Sequence, residues 1–204
     1  MLFNDVKDEF SKALSLLSRN SQAVMQSAYE LAEKEHQGQV RKLHKGRQDE
    51  DPYLIHPLRV ALILMNELQL QDITVLASAV LHDVVEDGVS RPSIDDISKR
   101  FGVEIGLSVN YLTKPDLSES PAKELAMDRY HASFESAPLH VRLVKLSDRL
   151  DNLRECCLVD RPKFQNRYLN ETRQIYLPLA EQTSLYFSRQ YIELCARLEK
   201  LLLN

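Results

Sequence analysis

Only five glycines interrupt the 204 residues, and between them apolar residues recur at helical spacing almost throughout. AVMQSAYELAEKEH runs up to Gly38, and PLRVALILMNEL follows His56. ITVLASAVLHDVVED runs up to Gly88 with Ile73, Leu76, Ala77, Val80 and Val84 on one face, which predicts a single helix that Gly88 ends. LHVRLVKLSDRLDNLRE could pass briefly for a strand, but Leu139, Leu143, Leu146, Leu150 and Leu153 step by four and three, so it is expected to be a long helix. Ser93 and Asp96 form a capping-box pattern opening IDDISKRF, which Gly102 should close, and VEIGLSVNYLT follows as another short helix. The N-terminal MLFNDVKDEFSKALSLLSRN is expected to be an amphipathic surface helix. From about Asn170 the tail is expected to be a helix or helical pair, interrupted near Pro178. LHKGRQDED at 43–51 and KPDLSESP at 114–121 have loop composition. No hairpin signal, internal repeat or linker appears, so residues 1–204 are expected to be one all-α domain, a helical bundle.

Composition excludes several functional classes. With 44% hydrophobic residues the chain can bury a core. A net charge of -4 argues against a non-specific nucleic-acid binder, so any anionic ligand needs a local basic patch. Cys156, Cys157 and Cys195 make neither a metal-type spacing nor an even disulfide framework, which fits a reducing cytoplasm. The N-terminus lacks a signal-peptide core, no apolar run approaches a membrane span and no lipidation cysteine ends the chain, so no membrane partner is expected.

LHDVVEDG puts Asp83, Glu86 and Asp87 beside His82 at the end of the predicted helix, where the backbone dipole is already negative. Either these acids face water and His82 caps a carbonyl, or a cation sits among them. His82 and Glu86, like Asp83 and Asp87, are four apart and share one broad helical face. In YLIHPL, Pro57 suits the first position of a helix, leaving His56 at the helix mouth where it can project into a cleft. Asp148 interrupts an apolar helix face, with Lys145 three residues before it and Asn152 four after; a surface salt bridge is the alternative to ligation. Two imidazoles and two carboxylates suit Mn²⁺, Fe²⁺ or Zn²⁺ better than a Ca²⁺ cage. Such an ion would offset the clustered acids and leave Glu86 and Asp87 beside it for chemistry. EHQGQVRKLHKGR supplies Arg41, Lys42, Lys45 and Arg47, a phosphate-binding candidate or else a solvated basic loop. Arg41 is the strongest of these, since a guanidinium can stack on a base or fork onto phosphate.

HQGQVRK, PYLIHPL, LHDVVED, KLSDRLDNLR and ETRQIYLPLA occur in the order and approximate spacing of the hydrolase domain of RelA/SpoT-type proteins, a resemblance covering roughly residues 22–182. The resemblance implies an all-helical HD-domain fold that removes the 3′-pyrophosphate of (p)ppGpp to give GDP or GTP and pyrophosphate, usually with Mn²⁺; no synthetase region is expected in this sequence. It makes His56, His82, Asp83 and Asp148 the metal ligands. Glu86 and Asp87 become the pair that activates water, Arg41 and Lys42 the nucleotide-binding pair, and Asn152 a contact toward the sugar. The chain departs from the family pattern in a longer segment between Lys42 and Pro52, in Gly88 for a threonine, and in Asp151 where histidine is common. Glu155 stands where a base-contacting threonine is frequent, which makes it a candidate base reader; the alternative is that it pairs with a nearby arginine or the 41–47 loop and never meets the base. The family also includes hydrolases of adenine alarmones such as ppApp and a metazoan branch with NADPH phosphatase activity. A general nucleotide phosphohydrolase and a non-catalytic nucleotide-sensing module remain as alternatives.

Overall fold

The computed structural model describes residues 3–41, 51–115 and 122–203. The chain runs through α1 (Phe3–Ser15), α2 (Arg19–Glu35), α3 (Ile55–Leu62), α4 (Ile73–Leu81), α5 (Val84–Asp87), α6 (Ile94–Phe101) and α7 (Val103–Leu112). α8 (Lys123–Ser136), α9 (Leu139–Cys156), α10 (Pro162–Glu171), α11 (Leu177–Thr183) and α12 (Leu185–Leu202) complete it. Among the described residues, the antiparallel bridge between Val40 and Pro52 is the sole β pairing. The expected loops fall largely outside the described residues.

Local chemistry sets the boundaries. The Ser18 side chain caps α2 by accepting from Ser21 N–H, and the Asp72 carboxylate caps α4 by accepting from Thr74 and Val75 N–H. Ser93 and Asp96 form the expected capping box, and Gly102, at φ 99°, closes α6 and admits α7 directly. α9 is the central rod, packed against α3, α4, α7, α10, α11 and α12. Leu146, Leu150 and Leu153 are fully enclosed, as the four-and-three spacing requires. No helix among the described residues is long and apolar enough to cross a membrane.

Three expectations are corrected. ITVLASAVLHDVVED is two helices, because His82 Nδ1 donates to the Ala79 carbonyl at 2.8 Å, the group that a continuing helix would offer to Asp83 N–H. α3 starts at Ile55, so Pro57 is its third residue and His56 is buried in the first turn; proline is tolerated there because early N–H groups need no intrahelical partner. Pro178 does not break the tail. A π turn over Thr172–Tyr176 precedes it and runs into α11, and the chain breaks at Ser184, which is extended at φ -160°.

Gly88 ends α5 at an ordinary φ of -62°, so close approach, not left-handed geometry, makes it glycine. A Cβ there would meet the Val84 carbonyl oxygen at 2.2 Å and Glu35 Oε2 at 3.0 Å. The same Glu35 carboxylate accepts from Ser90 N–H at 2.8 Å and Ser90 Oγ at 2.5 Å, and Gln39 Nε2 donates to the Asp87 carbonyl at 2.6 Å. α2 and the turn after it thereby hold α5 in place.

Candidate metal centre and cleft

α3, α4 and α9 converge so that His56, His82 and Asp148 each bring a ligand atom within 4.8 Å of the other two. His56 Nε2 lies 3.2 Å from Asp148 Oδ1, and His82 Nε2 lies 4.0 Å from it. Asp83, just past the α4 terminus, adds its Oδ2 at 3.1 Å from His82 Nε2 and 3.8 Å from His56 Nε2. The helix break is what turns Asp83 into this group.

Both imidazoles are held in one tautomer. His56 Nδ1 faces Asp151 Oδ2 at 2.7 Å and His82 Nδ1 faces the Ala79 carbonyl at 2.8 Å, so each Nδ1 carries the hydrogen and each Nε2 presents a lone pair to the cluster. Among the described residues His82 Nε2 is buried and makes no well-formed hydrogen bond, although Asp83 Oδ2 lies 3.1 Å away. Two imidazoles with Nε2 turned inward and two carboxylates fit a divalent transition metal, to which imidazole binds in its neutral form. Without that ion the acids keep a proton on His82: burial pushes the imidazole down, but Asp83 and Asp148 outweigh it and raise it to about 9. Asp83 and Asp148 respond in kind, both held well below the usual carboxylate range despite burial, by His82 and Lys145 respectively.

Lys145 does not form the surface salt bridge that spacing allowed. It is buried, with Nζ 3.0 Å from Asp148 Oδ2, and lies over the rings of Tyr130, Phe134 and Tyr176 at 5.4, 5.7 and 5.9 Å. Asp148 thus divides its oxygens, Oδ2 to Lys145 and Oδ1 to the cluster.

The cluster forms the floor of a cleft of about 350 Å³. Glu86 and Asp87 line it on the acidic side. Glu86 is engaged by Lys114, through Nζ at 2.9 and 3.2 Å and the backbone N–H at 3.0 Å. Asp87 Oδ2 has the Tyr53 hydroxyl at 3.5 Å, a long contact, since that hydroxyl donates to Asp83 Oδ2 at 2.5 Å. Lys114, Lys145, Arg149 and Arg167 also line the cleft and bring positive charge to it, the first two paired directly with Glu86 and Asp148, beside Phe164 and Tyr168, which stack at 4.3 Å. Arg149 is fixed by Thr172, Glu171 and the Tyr168 carbonyl. The α10 part of this lining escaped the sequence reading, although Phe164, Arg167, Tyr168 and Glu171 are spaced by three, one and three along one helical face.

The expected nucleotide contacts are distributed differently. Arg41 reaches the cleft because Arg41 N–H bonds the Asp51 carbonyl and Tyr53 N–H bonds the Gln39 carbonyl, bringing 39–41 beside 51–53. Its Nη2 donates to Glu155 Oε2 at 2.7 Å and Asn152 Oδ1 at 2.8 Å, and its guanidinium lies 5.3 Å from the Tyr53 ring centroid. Asn152 also donates to Asp148 Oδ1 at 2.6 Å, so it bridges Arg41 to the His/Asp cluster while lining the cleft. Glu155 is buried against Arg41 and Arg59 and lines a separate cavity, the arrangement expected of the arginine-pairing alternative. Two arginines satisfy it before any ligand arrives. Lys42, Lys45 and Arg47 lie outside the described residues.

Residues 28–185 match the family model described as HD domain. A guanosine-3′,5′-bis(diphosphate) 3′-pyrophosphohydrolase of Aquifex aeolicus (strain VF5) is 32% identical over 92% of this chain and 25% of its own length. A probable GTP pyrophosphokinase of Mycobacterium leprae (strain TN) is 34% identical over 80% of this chain and 19% of its own. The chain thus spans a quarter or less of these curated relatives. A solved structure, described as a metazoan ortholog of SpoT that hydrolyzes ppGpp and plays a role in starvation responses, superposes with a TM-score of 0.72 at 26% identity, covering 84% of this chain and 93% of that one.

Proposed function

The chain belongs to the HD-domain family, and on that premise we propose that it is a metal-dependent hydrolase removing the 3′-pyrophosphate of (p)ppGpp, giving GDP or GTP and pyrophosphate. The observation that carries this is the His/Asp cluster, with His82 Nε2 turned into it, in a cleft that four cationic side chains also line. His56, His82, Asp83 and Asp148 would hold the ion, with Mn²⁺ proposed. When bound it supplies Lewis acidity toward a phosphoryl oxygen and an attacking water.

The remaining work falls to this chain's own side chains. Lys114, Lys145, Arg149 and Arg167 face a polyphosphate and offset charge that grows on its oxygens as the bond to the 3′ oxygen breaks. Asp87, the less engaged of the two acids, accepts the proton of the attacking water. Glu86, held by Lys114, keeps that lysine toward the cleft. Arg41 binds the nucleotide together with Asn152, and the stacked Phe164 and Tyr168 offer a face to a base. The preference for guanine rests on the Aquifex relative's named activity, because Glu155 is occupied elsewhere. A cytoplasmic setting is proposed with it, supported by three buried free cysteines.

Turnover of ppGpp, ppApp, NADPH and deoxynucleoside triphosphates with Mn²⁺, each repeated with chelator, tests the proposal. Pyrophosphate release from ppGpp that stops on chelation is the expected result. A protein that binds ppGpp and releases nothing would be a sensing module instead.

A further inference from the structure

Behind the cleft, four charged side chains close a link that none of the roles above uses. Arg59 stands three residues after His56 on α3, so both point from one face toward α9. Its Nε lies 2.7 Å from Asp151 Oδ1 and its Nη2 donates to Asp151 Oδ2 at 3.1 Å and, at closer range, to Glu155 Oε1. Asp151 passes this contact to His56 Nδ1 at 2.7 Å, and Glu155 passes it to Arg41 Nη2 at 2.7 Å and Nε at 3.1 Å. On the cleft side Asn152 joins Arg41 to Asp148, and Asp148 Oδ1 faces His56 Nε2 at 3.2 Å. Seven side chains form a closed ring with the metal ligands on one arc and Arg41 on the other.

We propose that Arg59 is a positioning residue that couples the metal centre to the nucleotide site, orienting His56 through Asp151 and Arg41 through Glu155. This rests on the function proposed above. Asp151 and Glu155 line the cavity on the opposite side of α9, together with Leu62, Ile63 and Leu158, and not the cleft, so they act on ligands only through His56 and Arg41. The charges of the quartet sum to zero, which lets two carboxylates sit buried beside a site that already holds Asp83 and Asp148. The forked guanidinium matters as much as its charge: one planar group meets two carboxylates on different turns of α9 at once, which an ammonium cannot do with fixed orientation. The arrangement makes the two affinities linked, since whatever orders Arg41 also orders the acceptor of His56 Nδ1.

Mn²⁺ affinity measured by chelator competition without nucleotide, and KM and kcat for ppGpp at saturating Mn²⁺, separate the two arms. Asp151→Asn should weaken Mn²⁺ binding about tenfold or more and leave KM within about twofold. Glu155→Gln should do the reverse, raising KM about fivefold or more with Mn²⁺ affinity within about twofold. Arg59→Lys, which keeps the charge and loses the fork, should move both. An Arg59→Lys variant with both affinities unchanged overturns the proposal, even if its thermal midpoint falls, because that result marks the quartet as structural only. Arg59→Met serves as a second variant and should reproduce the double effect. If the wild type releases nothing from ppGpp, the proposed function fails by itself, and Mn²⁺ titration of Arg59→Lys and Asp151→Asn still decides whether Arg59 acts on the metal centre.

Discussion

Replacing Lys145 by Met tests how the centre is held together when no metal is bound. Methionine is close to lysine in volume, so packing against Tyr130, Phe134 and Tyr176 is largely kept and the loss is electrostatic. Removing one partner of a buried ion pair costs ~3–5 kcal/mol. Asp148 keeps Asn152 at 2.6 Å and His56 at 3.2 Å, which favours the lower end. Three lost cation–π contacts add ~0.5 kcal/mol each, for a total of ~4.5 kcal/mol. For a chain of this length that is a fall of ~9–18 °C in thermal midpoint, read by circular dichroism in chelator. With saturating Mn²⁺ the fall should shrink to less than half, because a dication bound at Asp148 replaces the missing positive charge. An equal fall with and without Mn²⁺ would refute the ligand assignment of Asp148, and a fall under ~3 °C in chelator would refute the burial argument.

The raised His82 sets a pH dependence whose sign is fixed. In metal-free protein the His82 contribution to stability is complete below its ordinary value of 6.5 and is lost as pH rises toward about 9, so the thermal midpoint in chelator should fall over that window. Asp83 and Asp148, both depressed, contribute above their ordinary 3.8 and lose that contribution as pH falls below it. Mn²⁺ must displace the His82 proton, so its apparent affinity should climb about tenfold per pH unit up to about 9, and calorimetry showing a flat profile there would contradict ligation by His82. Asp87→Asn should retain Mn²⁺ and lose turnover ~100-fold, with Glu86→Gln losing less because Lys114 already engages that carboxylate; near wild-type rates in Asp87→Asn would remove it as the base. Gly88→Ala should cost ~1–3 kcal/mol in urea denaturation, since its Cβ strikes the Val84 carbonyl at 2.2 Å. Glu155→Thr should leave the ratio of catalytic efficiencies on ppGpp and ppApp unchanged; a shifted ratio would return Glu155 to the base.

The long apolar periods of α4 and α9 made those helices legible, and the four proposed ligands stood out because each is an ionisable side chain on or beside an otherwise apolar face. α8 was illegible for the opposite reason: only Tyr130 and Phe134 are buried in its fourteen residues, too few to make a stripe. The interruption at His82 depends on a ring nitrogen choosing the Ala79 carbonyl, which no periodicity encodes. Glu155 looked like a ligand contact because it shares a side of α9 with Asp151 and Asn152, yet its partner Arg59 lies 96 positions away and appears only once α3 is laid against α9. The cationic lining needed the same tertiary step, because Arg167 and Lys114 have ordinary surface composition until α10 and the turn after α7 border one cleft.

α9 alone carries Lys145, Asp148, Arg149, Asp151, Asn152 and Glu155, which serve the metal cluster, the cleft wall and the ring behind them. These residues are keyed to one another by rotation about a single axis, so deleting one residue in the middle of α9 would turn everything downstream by about 100° and draw it back about 1.5 Å. All three assemblies would come apart together. Substitution can therefore retune this helix position by position, whereas a change in its length has no tolerated small step.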